Sequence, residues 1–462
     1  MVVKTTTMRW LSDIGLRSGK KTTKAPLGIL SFETAKTMSI IISLYKSLSD
    51  HEMLKLRNVI LKSEGVLYLN SNDEDFLLNL TCAERLEDLD KAATFLARLG
   101  QKCSNLSLNR FDVLYTDLKL GVLDVGKLEY ASKKAEKKIQ KMENLILATS
   151  NLYSALEALT ELEITERKLS QWKKSSHVMQ SQKTNFDLFN QKISFQRRQV
   201  HNFRETSLWN QSFDKSVGLM APILFIVYSR ICSLFGPYIP ILPRVSLSTI
   251  MSSHPREISK IQPESCLIKQ ISRSGPMPTT SRPNFVRFYS RKSICFSPEG
   301  SSFGANNNRV FHAAGTSTVG GSGLATRYAN VIILAEKYLD TAMTIDDDAR
   351  EDLYMSLPES LKTLVRSKLS RNVRNADDDF LAEGWRGALA EIMGWLAPMA
   401  HDTLKWQMER SFGKMSFNTS PSVLLLQTLH FSDKEKTEAA IAEVLVGLSC
   451  IYWCENRLWY DG

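Results

Sequence analysis

The chain has 462 residues, 43% hydrophobic and 23% charged, with a net charge of +10. That is enough for two or three domains with sizeable cores. Its seven cysteines are odd in number and scattered, which excludes a disulfide scaffold and favours a reducing compartment.

The positive charge is uneven. Residues 1–25 carry net +5 and residues 244–327 carry net +8, leaving −3 for the rest. Residues 1–26 read as a basic flexible arm. Their composition fits a nuclear address, a transit peptide or a disordered arm. No apolar run follows the basic start, so no secretory signal is expected. Residue 2 is Val, so N-myristoylation is not expected either.

Residues 27–236 predict an N-terminal helical domain. Leu27–Leu48 reads as an apolar helix. Ser49-Asp50-His51-Glu52 has the form of a capping box opening a helix to about Ser63, closed by Gly65. Asp73-Glu74-Asp75 starts a helix that Gly100 ends, and a shorter helix follows over 109–118. Leu145, Leu152 and Leu159 lie seven apart, with Ala148, Ala155 and Leu162 in the complementary positions, predicting a long coiled-coil-like helix. Another helix spans about 185–209. Val217–Tyr228 is too short an apolar run to span a bilayer and reads as a buried helix; no transmembrane helix is expected.

Residues 237–322 break the pattern. Seven of the fourteen prolines fall between Pro243 and Pro298, and sixteen serines between Ser246 and Ser322. This predicts a disordered basic linker and a phosphorylation substrate. Residues 323–462 predict a C-terminal helical domain. Its helices run over about 326–339, from a capping box at Ser356-Leu357-Pro358-Glu359 to about Leu369, over 379–411 with a kink at Pro398, and from Ser432-Asp433-Lys434-Glu435 onwards. In the third of these, Trp385, Leu389, Ile392, Leu396, Met399 and Trp406 share one stripe, which places that helix at the domain's centre. Nothing reads as a sheet. The expected fold is all-α, two helical modules joined by the linker.

Several of these segments resemble the plant PSK SIMULATOR family. They are Leu27-Gly28-Ile29-Leu30-Ser31-Phe32-Glu33-Thr34-Ala35, Ser207-Leu208-Trp209-Asn210, Gly320-Gly321-Ser322-Gly323-Leu324-Ala325, the stretch Asp378–Arg410, and Lys434-Glu435-Lys436-Thr437-Glu438. The resemblance implies two plant domains of unknown function, one N-terminal and one C-terminal. It also implies a role in promoting growth linked to the peptide hormone phytosulfokine, and placement in the nucleus or, less directly, the cytoplasm or the inner face of the plasma membrane. It brings no catalytic residues.

The residues themselves offer little chemistry. Gly320-Gly321-Ser322-Gly323 precedes a helix, but no Gly-Lys-Ser/Thr follows, so it is not a P-loop. Cys450 and Cys454 are one turn apart without a further ligand pair and read as small apolar residues. The acidic runs Asp346–Asp348 and Asp377–Asp379 lack calcium-loop spacing and read as helix N-terminal charge. His401-Asp402 is similar to the metal-binding dyad of helical phosphohydrolases, but that chemistry needs further ligands. No catalytic, cofactor-binding or metal-ligating residue is therefore assigned. The expected function is a non-enzymatic adaptor that binds other proteins through helical surfaces. Its basic segments would add weak attraction to acidic lipid, and no specific nucleic acid is expected. The alternative is a metal-dependent phosphohydrolase using His401 and Asp402.

Overall fold

A computed structural model describes residues 25–123, 129–175, 180–238, 309–340, 347–372, 381–410 and 417–460. Among these residues there is no strand, only the isolated bridges Pro26–Ser212 and Thr318–Asp433, and the fold is all-α. The basic arm before residue 25, the linker over 239–308, Cys266, Cys295 and the acidic run Asp377–Asp379 lie outside the described residues.

Helix α1 (Leu30–Ser47) starts beside Gly28, which sits at φ +56, a conformation that costs glycine little. The turn before it is tied down by bonds from the Leu27 N–H to the Gln211 carbonyl and from the Gly28 N–H to the Trp209 carbonyl. Ser49 caps α2 (Asp50–Lys55), its hydroxyl accepting from the Glu52 N–H as the capping box predicts. Beyond α2 the chain widens into two π-helical turns, Leu56–Ile60 and Val66–Asn70. Gly65 does not close a helix there. It keeps helical dihedrals, and a Cβ on it would lie 2.8 Å from the Trp395 carbonyl oxygen and 2.6 Å from the Met399 sulfur. Glycine is needed for close approach, not for a turn.

Asp73 caps α3 (Glu74–Gly100) by accepting from the Asp75 and Phe76 N–H groups. Gly100 is its last residue, with Gln101 at the C-cap, and a Cβ on Gly100 would lie 2.4 Å from the Leu108 carbonyl oxygen. Two short helices follow, α4 (Leu106–Asn109) and α5 (Phe111–Lys119). The long α6 (Lys133–Ser175) and α7 (Gln180–Thr206) form a hairpin. The Gln196 amide donates to the Ala155 carbonyl, and Arg197 reaches Glu163 and Glu166. On α6 the buried positions are Ala135, Ile139, Met142, Ile146, Thr149, Leu152 and Ala155, a three-and-four spacing that keeps one face inward. Helix α8 (Phe213–Phe235) is buried among α1 and α3 almost throughout, Pro222 included. It and the stretch Lys434–Cys454 are long and apolar enough to cross a membrane. However, 72% and 56% of their apolar windows are covered by the rest of the protein, which accounts for that apolarity.

After the linker come α9 (Arg309–His312), α10 (Ala325–Asp340), α11 (Asp347–Ser356), α12 (Glu359–Asn372), α13 (Leu381–Arg410) and α14 (Lys434–Tyr460). The linker was expected to reach residue 322, but the described residues from Arg309 onwards already form helix and packed turns. Val310 is buried, and Val319 is fully buried in the C-terminal core. The serine- and proline-rich composition that suggested disorder belongs to the segment before this point. Ser356 does not open α12 either. It is the last residue of α11, and its hydroxyl donates back to the Leu353 carbonyl.

Helix α13 packs on α10 and α14, as its apolar stripe predicts, and runs on through Pro398. Its fully buried positions are Leu389, Met393, Leu396, Ala397, Met399 and Ala400, whereas Trp385, Trp395 and Trp406 are half-buried along the margin. Small and aliphatic residues fill the tight centre, and the wide indoles cover its edges. Gly447 of α14 lies under this margin; a Cβ there would press on Leu389 and Trp385.

The described residues on both sides of the linker belong to one compact unit. Leu69 from the N-terminal half is part of the C-terminal core, and its carbonyl accepts from the Asp433 N–H. Gly65→Val tests this contact. The added side chain meets backbone as well as the Met399 thioether, so the variant should lose about 1–3 kcal/mol in denaturant unfolding. Gly28→Ala, where space is open but φ is positive, should lose about 1 kcal/mol.

Candidate functional site

The strongest electrostatic feature is a charge cluster at the seam between the halves. Glu84, Arg85 and Asp88 lie on successive turns of α3 and keep 3%, 5% and 8% exposure. Such burial is expensive for charges unless each is matched. Arg410, at the end of α13, supplies the match. Its guanidinium donates to both Asp88 carboxylate oxygens, at 2.7 and 2.8 Å, and to Glu84 at 2.9 Å. The Trp406 indole N–H donates to the same Glu84 oxygen at 3.0 Å, and the other oxygen accepts from the Leu425 N–H at 2.8 Å. The Arg410 guanidinium also lies over the Trp406 ring. Burial pushes the Glu84 carboxyl above its usual range, against the pull of Arg410 and Arg85. Burial also works against the Arg410 charge, but Asp88, by charge and hydrogen bond, together with Glu84 and Glu87, outweighs it and raises its pKa. Arg410 therefore stays charged, and the cluster is a clasp holding α3 to α13.

Beside the clasp, the segment after the linker is pinned by aromatic stacking. Phe311 stacks on His430 at 4.1 Å between ring centroids and on Trp406 at 5.5 Å. The Val310 N–H donates to Glu87. His430 is buried with its Nε2 2.8 Å from the Phe311 carbonyl oxygen, and burial lowers its pKa, only partly opposed by that bond. Gly320 fits against this ring, where a Cβ would lie 2.1 Å from the His430 Nδ1. The glycine-rich run is thus a packed turn. Its N–H groups are spent internally: Gly320 on the His430 carbonyl, Gly321 on the Thr318 hydroxyl, Ser322 on the Thr318 carbonyl and Gly323 on the Gly320 carbonyl. They are not free to cradle a phosphate.

His401 and Asp402 diverge. The exposed His401 Nε2 lies 2.6 Å from a Glu336 oxygen on α10, while Asp402 accepts from the Gln427 amide. Burial raises the Asp402 pKa against the pull of Lys405, His401 and Lys55. Among the described residues, no group of three or more His, Cys, Asp and Glu side chains is placed to hold a metal. Cys450 and Cys454 are half-buried free thiols.

A cavity of ≈ 220 Å³ opens next to the clasp. Leu48, Met53, Lys55 and Leu56 form one wall, Arg85 of α3 the floor, and Asp402, Lys405 and the 421–427 loop the other wall. Sequence reasoning missed both clasp and cavity. Glu84, Arg85 and Asp88 look like an ordinary charged helix face, and their partner lies 326 residues away.

Comparison with known proteins places names on these two walls. Residues 29–85 match the family described as "Domain of unknown function (DUF3475)". Residues 318–405 match "Protein of unknown function (DUF668)". Protein PSK SIMULATOR 1 of Arabidopsis thaliana is 24% identical over 91% of this chain and 55% of its own length. Protein PSK SIMULATOR 3 is 24% identical over 95% of this chain and 58% of its own length, and Protein PSK SIMULATOR 2 is 22% identical over 95% and 61%. The likeness to the PSK SIMULATOR family, read from the motifs, is thereby shown. The chain spans little more than half the length of these relatives. No solved structure matches. Both domains of unknown function line the cavity: the first supplies Lys55 and Arg85, the second Asp402 and Lys405.

Two measurements test this site. Arg410→Met leaves two buried carboxylates without their cation and should destabilise the chain by about 3–5 kcal/mol in urea unfolding, whereas the exposed Arg197→Met should cost under about 1 kcal/mol. His430 has a lowered folded-state pKa, so the unfolded chain binds its proton more readily. The stability it contributes is present above the unfolded value of about 6.5 and is lost as pH falls below that toward the folded pKa. The melting temperature should therefore drop on acidification from pH 7, and by less in His430→Asn.

Proposed function

We propose that this chain is a non-enzymatic regulator in plant growth signalling linked to phytosulfokine, acting by binding other proteins. The names of the three Arabidopsis relatives support the signalling context. The observation that carries the binding role is the α6–α7 hairpin. Among large apolar side chains, Leu147, Ile164, Leu188 and Phe195 stand on it at 64%, 45%, 64% and 54% exposure. Leu188 and Phe195 are seven residues apart on α7, so they share a face on which a partner helix can lie. The seam clasp makes the rest of the molecule a rigid support for it. The nucleus is the proposed site of action on the strength of the family resemblance. Weak attraction of the basic segments to acidic lipid is a secondary part of the same proposal.

Complementation of a growth-defective plant tests the reading. Leu188→Ser with Phe195→Ser removes exposed apolar surface, so it should leave the melting temperature nearly unchanged yet abolish rescue. His401→Ala, at a residue outside the cavity, should rescue fully. Loss of rescue by this second variant, shown to be folded, would sink the non-enzymatic reading and revive metal-dependent hydrolysis.

A further inference from the structure

We propose that the cavity between the two domains of unknown function is a binding site for a phosphoryl group, held by Arg85, Lys55 and Lys405. The inference starts from an imbalance in the clasp. Arg85 is as deeply buried as Glu84, but the nearby carboxylates are committed elsewhere. Glu84 and Asp88 are held by Arg410, and Glu409 accepts from the Val423 N–H. Among the described residues, the direct hydrogen bonds of the Arg85 guanidinium go to the Ser422 hydroxyl at 2.8 Å and the Ser422 carbonyl at 3.3 Å, both neutral. A buried guanidinium with five donors and no bonded anion is under-compensated. Burial lowers its pKa and Arg410 adds to that, against the pull of Glu84, Asp88 and Glu409.

Arg85 and Ser422, to which it is bonded, both line the cavity. Lys55 and Lys405 also line it, both exposed, and neither forms an ion pair among the described residues. Two carboxylates share the lining. Glu52 lies 3.6 Å from His51, and Asp402 is bonded to Gln427. Burial raises the Asp402 pKa while Lys405 and Lys55 favour its charge, so an anion entering here competes with Asp402 for the two lysines. A planar guanidinium can grip two oxygens of one group, and two ammonium groups can meet a third. The lining sets three cations, Arg85, Lys55 and Lys405, against two carboxylates, Glu52 and Asp402, and the excess attracts a phosphoryl dianion more strongly than a singly charged carboxylate. The proposal gives the seam a ligand: an anion here would touch α2, α3 and α13 together.

Thermal denaturation of the full chain reads the site. Inorganic phosphate should raise the melting temperature saturably beyond sodium chloride of matched ionic strength and pH. The double variant Lys55→Gln/Lys405→Gln, made at exposed positions, should weaken the apparent phosphate affinity by about tenfold or more. Arg85→Gln should abolish the response; should that variant fail to fold, the lysine pair still decides. O-phosphoserine titrated in parallel separates the sources. Tighter binding than inorganic phosphate points to a phosphorylated protein segment, and equal binding points to free phosphate. Equal melting shifts in phosphate and chloride, or an undiminished phosphate response in the lysine double variant, would overturn the proposal.

Discussion

Glu84 and Asp88 lie on a face of α3 that the packing of the other helices drives out of water. Two carboxylates so placed cannot remain charged unless a cation comes to them, and Arg410 is that cation. Much of the architecture follows from this demand. The Trp406 indole and the Leu425 N–H complete the Glu84 oxygens, which fixes both the end of α13 and the loop after it. The same Trp406 ring takes Phe311, whose neighbour Val310 bonds to Glu87 on α3. The start of the ordered chain after the linker is therefore anchored to the same turn of helix. A buried ion pair is weak evidence for net stability, but its geometry is demanding, and here it fixes one register between the halves.

The glycines show a second constraint. Gly65, Gly320 and Gly447 each let one element approach another too closely for a side chain. They are specificity devices like the clasp, since each admits only one mutual placement of the elements it separates. The apolar stripes alone would tolerate sliding, because leucine packs adequably against leucine in more than one register.

Helices with strong caps and strong periodicity were legible in the sequence. Ser49 and Asp73 marked their boundaries, because capping is a local interaction between residues a few positions apart. The central place of α13 followed from its stripe. The packing of residues 309–322, expected to be linker, was not legible, since Phe311 and Val319 are held by a ring and a carbonyl from the far end of the chain. Ser356 misled for a related reason: a serine before a proline can end one helix as well as begin the next. The cavity was invisible for the most general reason. Lys405 lies hundreds of residues from Lys55 and Arg85, and in sequence each resembles solvent-facing charge.

The separation of Glu84 from Arg410 has a consequence for how the molecule is made. The clasp closes a loop of 326 residues, and Arg410 leaves the ribosome long after α3 does. At about 5–20 residues per second the delay is on the order of tens of seconds. Throughout that interval the N-terminal helices exist without their counterpart, and the seam face of α3 is open to water. Glu84, Arg85 and Asp88 then act as a solubilising stripe on a half-built core, discouraging premature association with other nascent chains. The charges that are costly to bury at the end protect the chain during its synthesis.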